Sequence, residues 1–229
     1  GIAGRRVVVG HRAAQRAHGT HLAVTDVRGQ VGQRGDGGLH LGAVGHVDVA
    51  RHGADDDGAA FLADASQLCD AHGVFLIADE IASGFGRTGT LFACEQAGIQ
   101  PDLMCVSKGL TGGALPLAVT MATPEIFAAH YSTDRTKQFF HSSSYTANPI
   151  ACAAANANLS IWREEPVLER IERLSKRQAE GLAKLAVNPH ITNPRQRGTI
   201  IEMEVNAGED GYLSEIGPQL KAAFTARNL

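Results

Sequence analysis

From Phe61 onward the apolar positions fall into patterns that predict alternating helices and strands. Phe61, Leu62, Ala65, Leu68 and Cys69 recur at helical spacing, and Gly73 supplies a C-terminal stop. Val74 to Ala78 is a short unbroken apolar run, the pattern of a strand buried on both faces of a parallel sheet. Leu103 to Val106 and Leu117 to Met121 predict two more strands, with a short helix around Leu91 to Ala97 between the first pair. Pro149 to Trp162 is Ala-rich and reads as a helix. Asn148 offers its side chain as a cap, and Pro149 suits the first helical position. Pro166 to Ala186 is amphipathic, with Val167, Ile171, Leu174 and Leu182 on one face. Thr199 to Val205 alternates, with Ile201, Met203 and Val205 opposite Glu202 and Glu204, which predicts a half-buried strand. Strands and helices in alternation point to an α/β fold.

Residues 1 to 60 have a different texture. They hold 13 of the 26 glycines and six of the ten histidines, and no Lys, Glu, Ser, Pro, Asn, Cys, Met, Phe, Tyr or Trp. A folded domain uses aromatics for its core and Lys or Glu for its surface. Nearly all residues present have codons beginning with G or C, so the stretch reads as GC-rich DNA translated in a wrong frame. The competing reading is a flexible low-complexity leader. Its histidines, among them His18, His21, His40, His46 and His52, have no acidic or cysteine partner at helical spacing, so no metal site is expected.

Charge and composition narrow the function classes. A formal net charge of -3 gives no electrostatic reason to expect nucleic acid or an anionic membrane as partner. No apolar run reaches the roughly 18 residues of a transmembrane helix, and the start has no signal-peptide pattern. Cys69, Cys94, Cys105 and Cys152 lie in apolar contexts without a CxxC pair, which predicts buried free thiols in a reducing cytoplasm.

The chemistry lies in two segments. Phe75 to Gly89 puts Asp79 at the carboxyl end of a buried strand, the edge where open α/β sheets bind ligands. Leu103 to Gly113 puts Lys108 just past the end of the next strand, in a glycine-rich turn. An isolated strand-end Asp is more often a helix cap. A carboxylate and an amine at adjacent strand ends, however, are what pyridoxal phosphate requires: the amine to attach its aldehyde and the carboxylate to keep its ring nitrogen protonated.

The runs "IADEIASGFGRTG", "SKGLTGG" and "HSSSYTANPIACAAA", with 29 positions between Asp79 and Lys108 (108 − 79), resemble the class III pyridoxal-phosphate-dependent aminotransferases. The segments "LMCVSKGLTGG" and "NPIACAAANANLSIW" are more similar to the biotin-synthesis branch of that class than to its ornithine or GABA enzymes. The resemblance covers about residues 61 to 229. It implies a fold-type I large domain, a mostly parallel sheet flanked by helices, over 61–162 and an incomplete C-terminal α+β domain over 163–229. It implies a homodimer taking a small-molecule amino donor and a keto acceptor, namely S-adenosylmethionine and 8-amino-7-oxononanoate. By the same resemblance Asp79 pairs with the ring nitrogen, Ile81 packs on the ring face, and Lys108 attaches the cofactor and moves the proton. Ser144 takes the cofactor phosphate of the neighbouring subunit, where the family often has threonine. Arg87 is given a structural role and is left out of the site.

The sequence also departs from this pattern. Upstream the family carries a Gly-Ser phosphate loop and a ring-stacking aromatic, and residues 1 to 60 contain neither serine nor aromatics. The chain ends at Leu229, before the arginine that binds the substrate carboxylate in the resembled enzymes. The expectation is a central cofactor segment that is inactive by itself. Two rivals come from other classes. One is an inactive truncated product. The other is an NAD-dependent oxidoreductase, because Gly84-Phe-Gly-Arg-Thr-Gly89 formally matches GxGxxG. Five residues, Glu80 to Gly84, separate Asp79 from Phe85, however, whereas a dinucleotide fold needs its first glycine in the tight turn itself. The lysine ending the next strand also stands where that fold needs an acid.

Overall fold

The computed structural model describes residues 34–35, 38–39, 44–48, 58–141, 143–206 and 216–229. Its strands are β1 (Arg34–Gly35), β2 (Gly38–Leu39), β3 (Val44–Asp48), β4 (Phe75–Asp79), β5 (Leu103–Val106), β6 (Val119–Ala122), β7 (Ile191–Arg197) and β8 (Ile200–Val205). Its α-helices are α1 (Gly58–His72), α2 (Cys94–Ala97), α3 (Pro124–His130), α4 (Pro149–Glu164), α5 (Val167–Leu185) and α6 (Ile216–Thr225). Among the described residues, no helix is long and apolar enough to cross a membrane.

A four-stranded sheet in the order β3-β4-β5-β6 forms the frame. The pairs β3-β4 and β4-β5 are parallel, and β5-β6 is antiparallel. The first pair draws Val44–Asp48 out of the compositionally unusual first 60 residues and into the sheet. Histidines 18, 21, 40 and 52 lie outside the described residues, as does the side chain of His46.

Helix α1 covers one face of the sheet. Leu62, Ala65 and Cys69 pack with Leu76, Ala78, Ala93 and Cys94 in one buried cluster. Burying each large aliphatic side chain there contributes roughly 1.5–3 kcal/mol. The helix stops where the sequence predicts: Gly73 takes φ +61°, and the amides of Gly73 and Val74 donate to the Asp70 and Cys69 carbonyls. Phe75, Leu76 and Ala78 are all buried, so β4 is covered on both faces as its unbroken apolar run predicts. A second cluster, Val106, Leu110 and Ala155, joins β5 and the turn after it to α4. Asn148 caps α4, its Oδ1 accepting from the amides of Ile150 and Ala151.

The other predicted elements form, with shifted bounds. The strand expected over 117–121 is β6, and the helix expected over 91–97 shortens to α2. Helix α5 is amphipathic, yet none of its residues is buried. β8 alternates as predicted and pairs with β7 in an antiparallel hairpin. The sequence patterns did not announce β7, α3 or α6. β7 carries Pro194, and Asn193 at φ +48° lies where the register shifts between Thr192 and Arg195, an irregularity that hides its alternation.

Candidate active site

The site is built where β4 and β5 end side by side. In their parallel register Asp79 is the partner of Cys105, and Lys108 follows three residues later. The Glu80 amide donates to the Cys105 carbonyl and extends this pairing one step past the strand. Asp79 Oδ1 accepts from the Ile81 amide at 3.0 Å, which turns the chain sharply at the strand end.

Lys108 opens a four-residue 3-10 turn, Lys108–Thr111, with φ +41°. A left-handed backbone at a lysine costs energy and persists only where the surroundings enforce it. Several contacts enforce it here. Ser107 Oγ donates to the Leu117 carbonyl and Thr111 Oγ1 to that of Leu115. Leu110 is buried against Val106 and Ala155. Gly109 lies so close to Phe85 that any Cβ there would overlap the ring. The Lys108 side chain is exposed.

Lys108 and Ile81 line one cavity of about 410 Å³, together with Phe85, Gly112, Asn158 and Trp162 among others. That volume falls in the range of small-molecule pockets. Asp79 adjoins it through the strand register but is not among its lining residues. Ser144 is exposed on the loop before α4 and does not line it either. The carboxylate, amine and apolar side chain at these strand ends have the chemistry to hold pyridoxal phosphate. A larger hollow of about 890 Å³, lined by Leu110, Leu117, Val119, Met121 and Leu159 among others, is mostly apolar and offers no amine to attach an aldehyde.

Two residues were not singled out in the sequence. Glu80 is fully buried; one carboxylate oxygen accepts from Ser83 Oγ and the other from the Cys94 amide, tying the loop after β4 to the start of α2. Burial, aided by the nearby Glu80 charge, pushes the Cys94 thiol well above its ordinary range. A Glu beside an Asp at a strand end reads as surface in a sequence, and only packing reveals its burial. The second is Asn158, which donates to the turn that carries Lys108.

Arg87 holds structure through its backbone, its carbonyl accepting from the amide and hydroxyl of Thr199 in the turn between β7 and β8. The Gly84–Gly89 segment is a series of turns rather than a strand-turn-helix junction, so the geometry of a dinucleotide-binding loop is absent there.

The aminotransferase class-III family profile matches residues 52–221. Adenosylmethionine-8-amino-7-oxononanoate aminotransferase of Synechococcus elongatus is 44% identical over 169 residues, which is 74% of this chain and 39% of that protein. The enzyme of the same name from Nitratidesulfovibrio vulgaris is 48% identical over 146 residues, covering 62% of this chain and 27% of that protein. This chain thus spans well under half the length of these relatives. Among solved structures, adenosylmethionine-8-amino-7-oxononanoate aminotransferase of Methanocaldococcus jannaschii superposes with a TM-score of 0.61 at 36% identity, over 66% of this chain and 36% of that one. An (S)-enantioselective omega-transaminase of Thermomicrobium roseum gives 0.68 at 31% identity, over 80% and 42%. The sheet is thus part of a fold-type I aminotransferase fold, and the chain belongs to the class III aminotransferases, a pyridoxal-phosphate-dependent family.

Proposed function

We propose that this chain carries the cofactor centre of an enzyme that moves an amino group from S-adenosylmethionine to 8-amino-7-oxononanoate, giving 7,8-diaminononanoate. The observation that carries the reading is the register at the strand ends: Asp79 opposite Cys105, with Lys108 three residues on in an enforced left-handed turn. The substrates are supported by the relatives' names, and the motifs of the Lys108 turn and α4 support the same branch. Residues 61–162 are assigned to the large domain and 163–229 to the small one.

In this reading Lys108 attaches the cofactor aldehyde through Nζ and, once displaced by substrate, moves the proton at the carbon that gains or loses nitrogen. Asp79 presents its negative charge to the ring nitrogen, and Ile81 covers one ring face. Ser144 offers a hydroxyl to the phosphate held by a second subunit, which suits its exposed position on a loop. The chemistry supplied there when pyridoxal phosphate is bound is withdrawal of electrons through a protonated ring.

Borohydride trapping with pyridoxal phosphate, followed by peptide mapping, tests the centre. The label is expected on Lys108, and label on Lys137, Lys176, Lys184 or Lys221 instead would remove it from the role. Assaying a full-length protein that carries these residues, with S-adenosylmethionine and then with an omega-amino acid as donor, tests the substrates. Faster turnover with the omega-amino acid would move the assignment to another branch of the class.

A further inference from the structure

α4 turns one stripe toward the Lys108 turn: Ala151, Ala155, Asn158 and Trp162, spaced by four, three and four residues. Ala151 and Ala155 are small and buried, which lets the helix approach closely. Asn158 is the polar member of the stripe. Its Nδ2 donates to the Gly109 carbonyl at 2.8 Å and to the Leu110 carbonyl at 3.1 Å, 49 and 48 residues away along the chain. Both partners are acceptors, so the amide nitrogen must face them. Its oxygen then lies beside Gly112, where an added Cβ would stand 3.2 Å from it.

The turn is therefore held from two sides, by Phe85 against Gly109 and by Asn158 on the carbonyls that follow Lys108. The other polar ties, from Ser107 and Thr111, are made from within the same segment. Side-chain direction at Lys108 follows from its backbone, and φ +41° is a conformation that relaxes readily once its restraints are lost.

We infer that Asn158 is a positioning residue for Lys108: its double donation fixes the turn that aims the lysine amine into the cavity that both residues line. This rests on the reading of Lys108 as the aldehyde-attaching amine. A tie serving only to dock α4 would use the same hydrogen bonds, so the test must read the lysine itself.

The 229-residue chain is incubated with pyridoxal phosphate, trapped with borohydride and mapped, and labelling at Lys108 is expressed relative to Lys184, an exposed lysine near the end of α5. The unmodified chain should favour Lys108. Asn158→Ala should lower the ratio about three- to tenfold, the worth of roughly one net hydrogen bond, with labelling at Lys184 unchanged. Asn158→Asp keeps the size but at neutral pH sets a carboxylate against two carbonyls, so its ratio should fall at least as far. As the pH drops towards about 5 the carboxyl, its pKa raised by those carbonyls, takes a proton it can donate. The ratio, normalised to the unmodified chain at each pH, should then climb back. A purely structural tie would lower the melting temperature without moving the ratio or giving it this pH dependence. If the alanine variant does not fold, the pH series of Asn158→Asp decides. Ratios within twofold of the unmodified chain throughout would overturn the inference while leaving Lys108 in place. No preference for Lys108 in the unmodified chain would overturn both.

Discussion

Two stretches of the chain solve the same packing problem with different success. Between Gly58 and Thr111 lie ten of the described buried hydrophobic residues, from Leu62 to Leu110, and both strand ends that carry Asp79 and Lys108. Beyond Thr111 only Ile126, Ala151 and Ala155 reach that depth, and α5, with its long amphipathic face, buries nothing. Amphipathicity is a property of a sequence, whereas burial needs a partner surface. In the first stretch α1 and the sheet supply each other's partner. In the second, Leu168 and Leu174 remain about half exposed although they lie on a well-formed helix. The strand-end residues thus rest on a consolidated core, while Ser144 rests on a loop.

The sharpest way to break this contrast is to remove equal side chains from both stretches. Leu76→Ala, in the cluster under α1, is expected to cost about 2–5 kcal/mol. Leu174→Ala, at 47% exposure, should cost less than about 1 kcal/mol. Urea melts of the two variants give the comparison directly, and equal losses would show that α5 is as well packed as α1.

A smaller effect is expected where the two stretches meet. Gly198 has φ +55° in the turn between β7 and β8, and a Cβ there would overlap the Gly89 amide and the Thr88 carbonyl carbon. Gly198→Ala should cost roughly 1–3 kcal/mol through backbone strain and loosen the Thr199 bonds to the Arg87 carbonyl. Hydrogen exchange at the Thr199 amide would report it. Unchanged protection there would mean that the hairpin does not depend on this contact.

The mildest test uses the buried thiols of the first stretch. Cys69 and Cys94 are both pushed above the ordinary value of 9.0, chiefly by burial, with the Asp102 charge next for Cys69 and the Glu80 charge next for Cys94. The folded chain holds these protons more tightly than the unfolded one. Their contribution is therefore intact below about pH 9 and lost as pH rises above it. Stability followed by urea midpoint should fall from pH 8 to 10.5, and Cys94→Ala should flatten that fall after correction for its own offset. A slope identical in the variant would show that Cys94 titrates alike in both states.

What the sequence determined by itself is what depends on neighbours along the chain. The apolar run of β4, the Gly73 stop and the Asn148 cap need only a few adjacent residues, and each forms where its pattern predicts. The Asp79 and Lys108 segments were legible for the same reason: each is a strand followed by a turn, and their motifs carry the family. Only the tertiary structure decided the rest. It paired Val44–Asp48 with β4 inside a stretch whose composition argued against any fold, because a strand needs a partner edge more than a distinctive composition. It set β6 antiparallel to β5, and it buried Glu80, whose burial depends on Ser83 and on the Cys94 amide fourteen residues away. It also brought Asn158 onto the Lys108 turn across 49 residues. Such contacts are fixed by the free energy of packing distant segments together, and no local pattern of apolar and polar residues encodes them.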